Sequence, residues 1–384
     1  MTRELHLNIN LLSTGAHHGA WRWPGVDPLS FVHVENYVAS AQVAERGLFD
    51  AVFLGDVPGI AENINYRPQF NGLEPTLVLT AIALATERIG LIGTASTSYN
   101  EPYNLARRLQ ALDLISHGRA GWNAVTTSIP AISHNFTATL PDREERYARA
   151  REFVDVVRTL WLSWEPDALP ADTAAGRFAD LDRIPAIDHH GEHFDVRGPF
   201  CLPRSEQGHP VIVQAGGSGH GRDLAGRTAD AVFASGTDLA SSRAYVADLR
   251  RHVASYGRDP EAIVVLPGLV THIGDTEREA WRRRRALDEL DLEHRGTSNG
   301  HLTATGTPEQ VADLIQLWFE EGAADGFNLM PDVLADGLPV FVDEVVPILQ
   351  RRGLFRTEYR GSTLREHYGA AQPVRPDGAA TAVR

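Results

Sequence analysis

The sequence predicts an α/β protein built as a closed (β/α)8 barrel, the TIM-barrel architecture, carrying insertions. Two observations predict it. Apolar runs of strand length alternate with helix-period patterns eight times along the 384-residue chain. Most of those runs are near-continuous in apolar residues, as expected of parallel strands covered on both faces. An open doubly wound sheet would share both features, and eight units in one chain favour closure.

The elements follow in order. Leu5 to Leu12 (LHLNINLL) reads as the first strand, and Phe31 to Arg46 as a helix with Val34, Val38, Ala41 and Ala44 on one face and Gly47 as its stop. Phe49 to Asp56 is the second strand, followed by a helix over Thr76–Glu87 that starts after Pro75. Ile89 to Ser96 and Arg119 to Thr126 are the third and fourth strands, with helices over Tyr103–Ile115 and Arg143–Trp161. A polar excursion rich in Pro, Asp and Gly runs from Ser163 to Gly208, and within it IDHHGEHFDVRG predicts a hairpin turning at Gly191. Strands five to eight are Pro210–Ala215, Ala229–Ser235, Ala262–Val270 and Gly326–Met330, with later helices over Thr276–Leu290, Pro308–Glu321 and Leu338–Leu349. One barrel domain is expected over residues 1–370, and a flexible tail over 371–384.

Composition narrows the chemistry. There are 36 basic residues, every one an arginine, against 50 acidic ones, for a net charge of −14. Without lysine, no Schiff-base aldolase, pyridoxal enzyme or Walker-type phosphate loop is possible. The single cysteine, Cys201, excludes a disulfide framework and multi-cysteine metal sites and suits a reducing cytoplasm. An acidic chain argues against general nucleic-acid or membrane-surface binding, and no apolar stretch has membrane-spanning length or signal-peptide layout. The run Arg282 to Arg285 fits a solvated helix face.

In a barrel of this kind the active site lies at the C-terminal strand ends. Those ends carry His17 and His18 after strand one, Asp56 after strand two, Thr94 and Ser96 in strand three, Asn123, Thr127 and Ser128 around the end of strand four, and QAGGSGHGR after strand five. The glycine stretch Gly216–Gly221 is the best phosphate cradle, because glycine backbone approaches closely and amides at a helix start point outward. Its spacing departs from the dinucleotide fingerprint. Metal hydrolysis fits poorly: there is no H-x-H after strand one, and His189, His190 and His193 fall on the hairpin, where a triad with Asp188 is the rival to simple surface alternation. A nucleophilic triad is equally unsupported. What remains is a mouth of hydroxyls, one carboxyl, two imidazoles and a phosphate-type loop, suited to a phosphorylated cofactor that brings its own reactivity, such as flavin mononucleotide.

GRAGWNAVTTS (118–128), STSYNEPYNLARR (96–108), ERYARAREFVDVV (145–157), PVIVQAGGSGHGR (210–222), ADGFNLMP (324–331) and VVPILQRRGLFRTEY (345–359) resemble the bacterial luciferase-like flavin monooxygenases. The branch is that of nitrilotriacetate monooxygenase component A, dibenzothiophene-sulfone monooxygenase and the pristinamycin synthase large subunit. The likeness covers about Leu5 to Tyr368. It implies reduced FMN supplied by a separate NAD(P)H:flavin reductase, dioxygen, a flavin C4a-(hydro)peroxide, a small organic substrate, no metal and a homodimer. It places Asp56 and Thr94 against the flavin, Tyr147 and Ser218 at its phosphate together with Arg143 and Gly217, and His17, His18, Thr127 and Ser128 in the substrate pocket.

Each has a plainer reading: Asp56 as a loop cap, Thr94 as strand packing, Tyr147 as a helix anchor, Ser218 as a helix N-cap. Three departures stand out. Arg143 occupies a position where the family usually has His, Gly217 replaces the first of two serines, and only Leu292–Thr307 remains of a segment of roughly fifty residues. Rival functions are a deazaflavin (F420) oxidoreductase on the same barrel, a flavin-binding protein without catalysis, and, more distantly, a metal hydrolase.

Overall fold

The computed structural model describes residues 3–60, 63–70, 72–137, 139–297 and 300–373. Eight parallel strands close on themselves: β1 (His6–Asn10), β2 (Ala51–Leu54), β3 (Gly90–Ser96), β4 (Ala120–Val125), β5 (Val211–Gln214), β6 (Ala231–Ala234), β7 (Val264–Ile273) and β8 (Gly326–Pro331), with β8 pairing back onto β1. Helices α1 (Val34–Arg46), α2 (Pro75–Ala85), α3 (Pro102–Ile115), α4 (Arg143–Trp161), α5 (Gly219–Thr228), α6 (Leu239–Ser255), α7 (Glu277–Leu290) and α8 (Pro308–Glu320) cover the outside. This is the predicted (β/α)8 barrel.

Period-two alternation sorts each strand into an outer and an inner face. Leu7, Ile9, Val52, Leu54, Leu91, Phe327 and Leu329 point outward into a core shared with α1, α2 and α8. Ala51, Phe53, Ile92, Val211, Val213, Ala231, Val264 and Leu266 point inward and meet Leu364 and Tyr368. Those last two belong to a C-terminal turn, Leu364–His367, and its flank; they plug the barrel at its N-terminal face, where the Tyr368 hydroxyl and Asn8 side chain exchange hydrogen bonds at 2.8 and 2.9 Å. The inner channel is therefore closed below, leaving chemistry to the opposite end.

Arginine replaces lysine throughout this closed face and collects carbonyls as a planar, five-donor group can. Arg119 donates to the carbonyls of Ala83, Thr86, Ile89 and Ser116. Asp50, fully buried, accepts from the Leu7 amide at 2.7 Å, from His6 Nδ1 at 3.1 Å and from Arg356. A recess of about 480 Å3 opens here among Glu4, His6, Arg356, Arg360 and His367.

Three details depart from the sequence reading. Leu302–Gly306 is a ninth strand, running parallel to the upper half of β7 (Leu302 opposite Leu269, Gly306 opposite Ile273), above the point where β6 stops pairing. Small and polar residues made it read as the remnant of a segment. The last helix begins at Leu334, not Leu338, and passes through a π turn over Phe341–Val345 just after Pro339, whose missing amide breaks the regular ladder. The first helix begins at Val34, not Phe31, because Ser30–Val32 forms a separate 3-10 turn.

The excursion carries the antiparallel hairpin His189–His190 with Asp195–Val196. Glu152 of α4 fixes it, accepting from His189 Nε2 at 2.9 Å and from the amides of His193 and Phe194. His190 pairs with Asp195 and His193 with Glu145, so the three imidazoles face three different carboxylates and do not converge. Most of the tail from residue 371 lies outside the described residues.

Candidate active site at the barrel mouth

The open end of the barrel divides into two chemically different halves. The half formed by β3, β4 and β5 is polar. Thr94 and Asn123 are Cα partners on adjacent strands, and the Asn123 amide donates to Thr94 Oγ1 at 2.8 Å inside the barrel. One turn higher, Ser96 Oγ and Thr127 Oγ1 are 2.7 Å apart, the Ser98 amide donates to Ser96 Oγ, and the Thr127 amide donates to Ser98 Oγ. Ser128 is exposed at the rim.

At the outer edge of this half, α4 and α5 meet. Ser218 N-caps α5, accepting from the Gly221 amide at 3.1 Å, and its oxygen lies 3.4 Å from the Tyr147 hydroxyl. The Tyr147 ring stacks on His220 at 5.5 Å and 22°. A Cβ at Gly216 would sit 2.9 Å from Gln214 Oε1 and 3.1 Å from the Gly221 backbone, a close approach of strand end and helix start that glycine accommodates. At Gly219 a Cβ would meet nothing within 4 Å, so there is open space beside the start of α5. Arg143, first residue of α4, is exposed one turn before Tyr147.

Asp56 is half-buried past the end of β2. Burial, and then the neighbouring Glu74 carboxylate, push its carboxyl up to about 6. Among the described residues no loop-capping bond is seen at Asp56.

The other half is aromatic. Phe53 meets Phe233 edge-on at 5.3 Å, and Phe233 stacks on His301 at 5.4 Å and 6°. Leu12, Ala16, Val270 and Met330 form the apolar floor beside them, with Phe70 and Phe233 packed against it. Gly268 on β7 leaves room for the His301 ring.

The two histidines expected here part company. His17 accepts from the Gly19 amide at 3.0 Å and pairs through Nε2 with Asp288 on α7 at 3.1 Å, so both ring nitrogens are committed to holding the loop. His18 packs against Phe70 at 5.4 Å, and its buried Nδ1 has no partner among the described residues. Burial, reinforced by the positive Arg67, lowers His18 to about 4, so its imidazole is neutral near neutral pH.

The mouth also holds buried polar atoms without partners among the described residues: Asn10 Oδ1, Asn123 Oδ1 and His301 Nδ1. Such atoms are costly to leave unpaired, which points to a polar ligand lying between them. Asn10, Phe233 and His301 were not singled out as site residues from sequence. The signal for Asn10 was present: His6, Asn8 and Asn10 alternate within an otherwise apolar strand, the pattern of a polar residue set facing a barrel interior.

Comparison with known proteins finds extensive likeness along the chain. A family model described as luciferase-like monooxygenase matches residues 12–325. The chain is 37% identical to the N-acetyl-S-(2-succino)cysteine monooxygenase of Bacillus subtilis, over 97% of this chain and 98% of that one. It is 38% identical to nitrilotriacetate monooxygenase component A of Aminobacter aminovorans, over 97% of each chain. Among solved structures, the EDTA monooxygenase from Chelativorans sp. BNC1 superposes with a TM-score of 0.88 at 35% identity, covering 96% of this chain and 99% of that one. The first of these alignments spans 432 positions, more than the 384 residues of this chain.

Proposed function

Because the chain belongs to the luciferase-like monooxygenase family and is a flavin-dependent monooxygenase, we propose that its mouth docks reduced FMN, supplied by a separate NAD(P)H:flavin reductase, with the phosphate at Tyr147 and Ser218. The observation that carries the reading is the division of the mouth. A hydroxyl-and-amide cradle stands at one edge, unpaired buried amide oxygens lie in the centre, and an aromatic floor lies opposite. That sequence of surfaces matches a phosphate, a heteroaromatic ring edge and an organic substrate. Bound reduced flavin supplies two electrons, so that one oxygen atom of O2 enters the substrate and the other leaves as water.

The protein's own groups do the rest. The amides at the start of α5 and the Tyr147 and Ser218 hydroxyls hold the phosphate without a lysine. Gly217 leaves that approach open, with Ser235 Oγ its nearest side-chain neighbour at 4.0 Å from a would-be Cβ, and Arg143 adds charge from the rim. Thr94, Asn123 and Asn10 meet the ring edge. Phe53, Phe233, Phe70 and the apolar floor keep water from the reacting face, while His18, Thr127 and Ser128 border the substrate. The test is an isotope measurement. With reduced FMN and 18O2, an accepted substrate should gain one labelled oxygen; release of all the oxygen as hydrogen peroxide for every organic compound offered would refute the reading.

Asp56 gives a pH signature. The fold favours its protonated form, so the stabilisation it contributes is present below the usual carboxylate range and lost as pH rises through about 6. A carboxylate forming beside an anionic cofactor repels it. Relative to Asp56→Asn, wild-type affinity for reduced FMN is expected to fall roughly three- to tenfold between pH 5 and 7. Parallel titration curves for the two proteins would show that Asp56 lies away from the cofactor.

We propose a homodimer as well, supported by Leu77 and Leu84, which lie on one face of α2 and are 74% and 78% exposed. Leu77→Glu with Leu84→Glu should halve the mass seen by light scattering; an unchanged mass would place the interface elsewhere or remove it.

A further inference from the structure

Between the loop that follows β1, the first turns of α1 and the start of the last helix lies a small cavity of about 50 Å3. Its polar walls come from three stretches of chain: Ser13 and Thr14 from the loop, Asp27 and Ser30 from the turns ahead of α1, and Asn36 and Ser40, four residues apart on α1. Backbone bonds fix each wall. The Ser13 amide donates to the Phe70 carbonyl at 3.0 Å, the Thr14 carbonyl accepts from the Leu334 amide at 2.8 Å, and the Ser30 amide donates to the Asp27 carbonyl at 3.1 Å. The side-chain oxygens are another matter. Ser13 and Ser30 are only 4% and 6% exposed, and neither hydroxyl has a partner among the described residues. Nor do the Thr14, Asn36 and Ser40 side chains bond to any described residue.

A buried hydroxyl left alone costs free energy, so two of them on one small cavity point to a guest that both can face. The walls set the charge of that guest. Among the described residues no arginine or histidine lines the cavity, and Asp27 is its one charged group. The Leu29 amide at 2.9 Å, and then His33 Nδ1 at 2.7 Å, hold the Asp27 carboxyl below its usual range, so it stands ionised at the outer lip. Hydroxyl, amide and carboxylate oxygens suit a hard cation. A single carboxylate, already shared with His33, is little charge for a divalent ion. Among the described residues no three His, Cys, Asp or Glu side chains converge on a metal position.

We propose that this cavity binds a monovalent alkali cation, Na+ or K+, held by the Ser13 and Ser30 hydroxyls, the Asn36 side-chain carbonyl and the Asp27 carboxylate. The volume admits one such ion with a water molecule beside it. The ion joins the β1 loop to α1, and that same loop carries Leu12 and Ala16 of the apolar floor and then His17 and His18. It braces the mouth from behind, whatever the mouth itself binds.

A neutral water molecule is the competing guest, and thermal unfolding of the full chain in NaCl, KCl and choline chloride at equal concentration separates the two. Choline matches the ionic strength and is too large to enter. The midpoint in NaCl or KCl is expected to exceed that in choline chloride by about 2–4 °C, the shift that an ion at roughly a hundred times its dissociation constant gives a chain of this size. Ser30→Ala should erase that difference while leaving the midpoint in choline chloride unchanged or higher, because it removes a buried hydroxyl that has no protein partner. A hydroxyl served by water would instead lower the midpoint equally in all three salts. Should Ser30→Ala fail to fold, Ser40→Ala, at a half-buried position on α1, carries the same comparison. Equal midpoints in the three salts, a shift retained in the variant, or a response to CaCl2 with none to NaCl or KCl overturns the proposal.

Discussion

Reduced FMN is expected to bind the Ser218→Ala/Tyr147→Phe double variant about 10²-fold more weakly than the wild type, at about 1.5 kcal/mol for each hydrogen bond to a charged group. No lysine exists to take over from these hydroxyls, and the α5 amides and Arg143 are left to hold the phosphate alone. Ser218 has a second task, capping α5 through the Gly221 amide, so Ser218→Ala alone should also lower stability by about 1 kcal/mol. The two effects separate cleanly. Ser218→Gly changes the cap by only a few tenths of a kcal/mol yet removes the same hydroxyl. Anaerobic titration of reduced FMN into the three variants, beside their denaturation midpoints, makes the comparison. Unchanged affinity in the double variant would mean that the phosphate lies elsewhere.

The largest stability effect is expected at the closed end. Asp50→Asn should lower unfolding free energy by about 3–5 kcal/mol at neutral pH, because it takes the buried carboxylate from the Arg356 guanidinium and leaves only the partly exposed Glu4 at 3.3 Å. Burial opposes ionisation of Asp50, but Arg356 and then His6 outweigh it and hold the carboxyl down at about 2. The sign follows from that depression. Asp50 contributes fully above the ordinary carboxylate range, and its contribution is lost as pH falls through about 2. The gap between wild type and variant in denaturant midpoint should therefore be widest near neutrality and close in strong acid. A gap that persists undiminished at pH 2 would show that packing, and not charge, is the cause. Flavin binding should be unaffected, since Asp50 lies at the opposite end of the barrel from the mouth.

Much of the barrel was legible because parallel strands buried on both faces leave a signal that few other structures share. FDAVFLGD and IGLIGTAS read correctly to within a few residues at each end. Leu302–Gly306 escaped for the converse reason: it pairs along one side only, with β7, and its Thr and Ala residues carry no strong apolar run. Within the mouth, Tyr147 and Ser218 stand 71 residues apart in sequence and 3.4 Å apart in space. Resemblance named both, and geometry explains why they belong together.

The roles of His17 and His18 were not separable from sequence. Adjacent in the chain, one is tied to Asp288 and the other turned toward Phe70. The stacking of Phe233 on His301 depends on the extra strand, so no local pattern announces it.

A crystal structure of the protein soaked with FMN tests the central claim most directly. The account predicts phosphate density within hydrogen-bond distance of Ser218 Oγ and the Tyr147 hydroxyl, with the ring edge at Thr94 and Asn123 and its reacting face toward Phe233. Density for the phosphate in the recess at the closed end, between Arg356 and Arg360, with the mouth left without flavin, would contradict it.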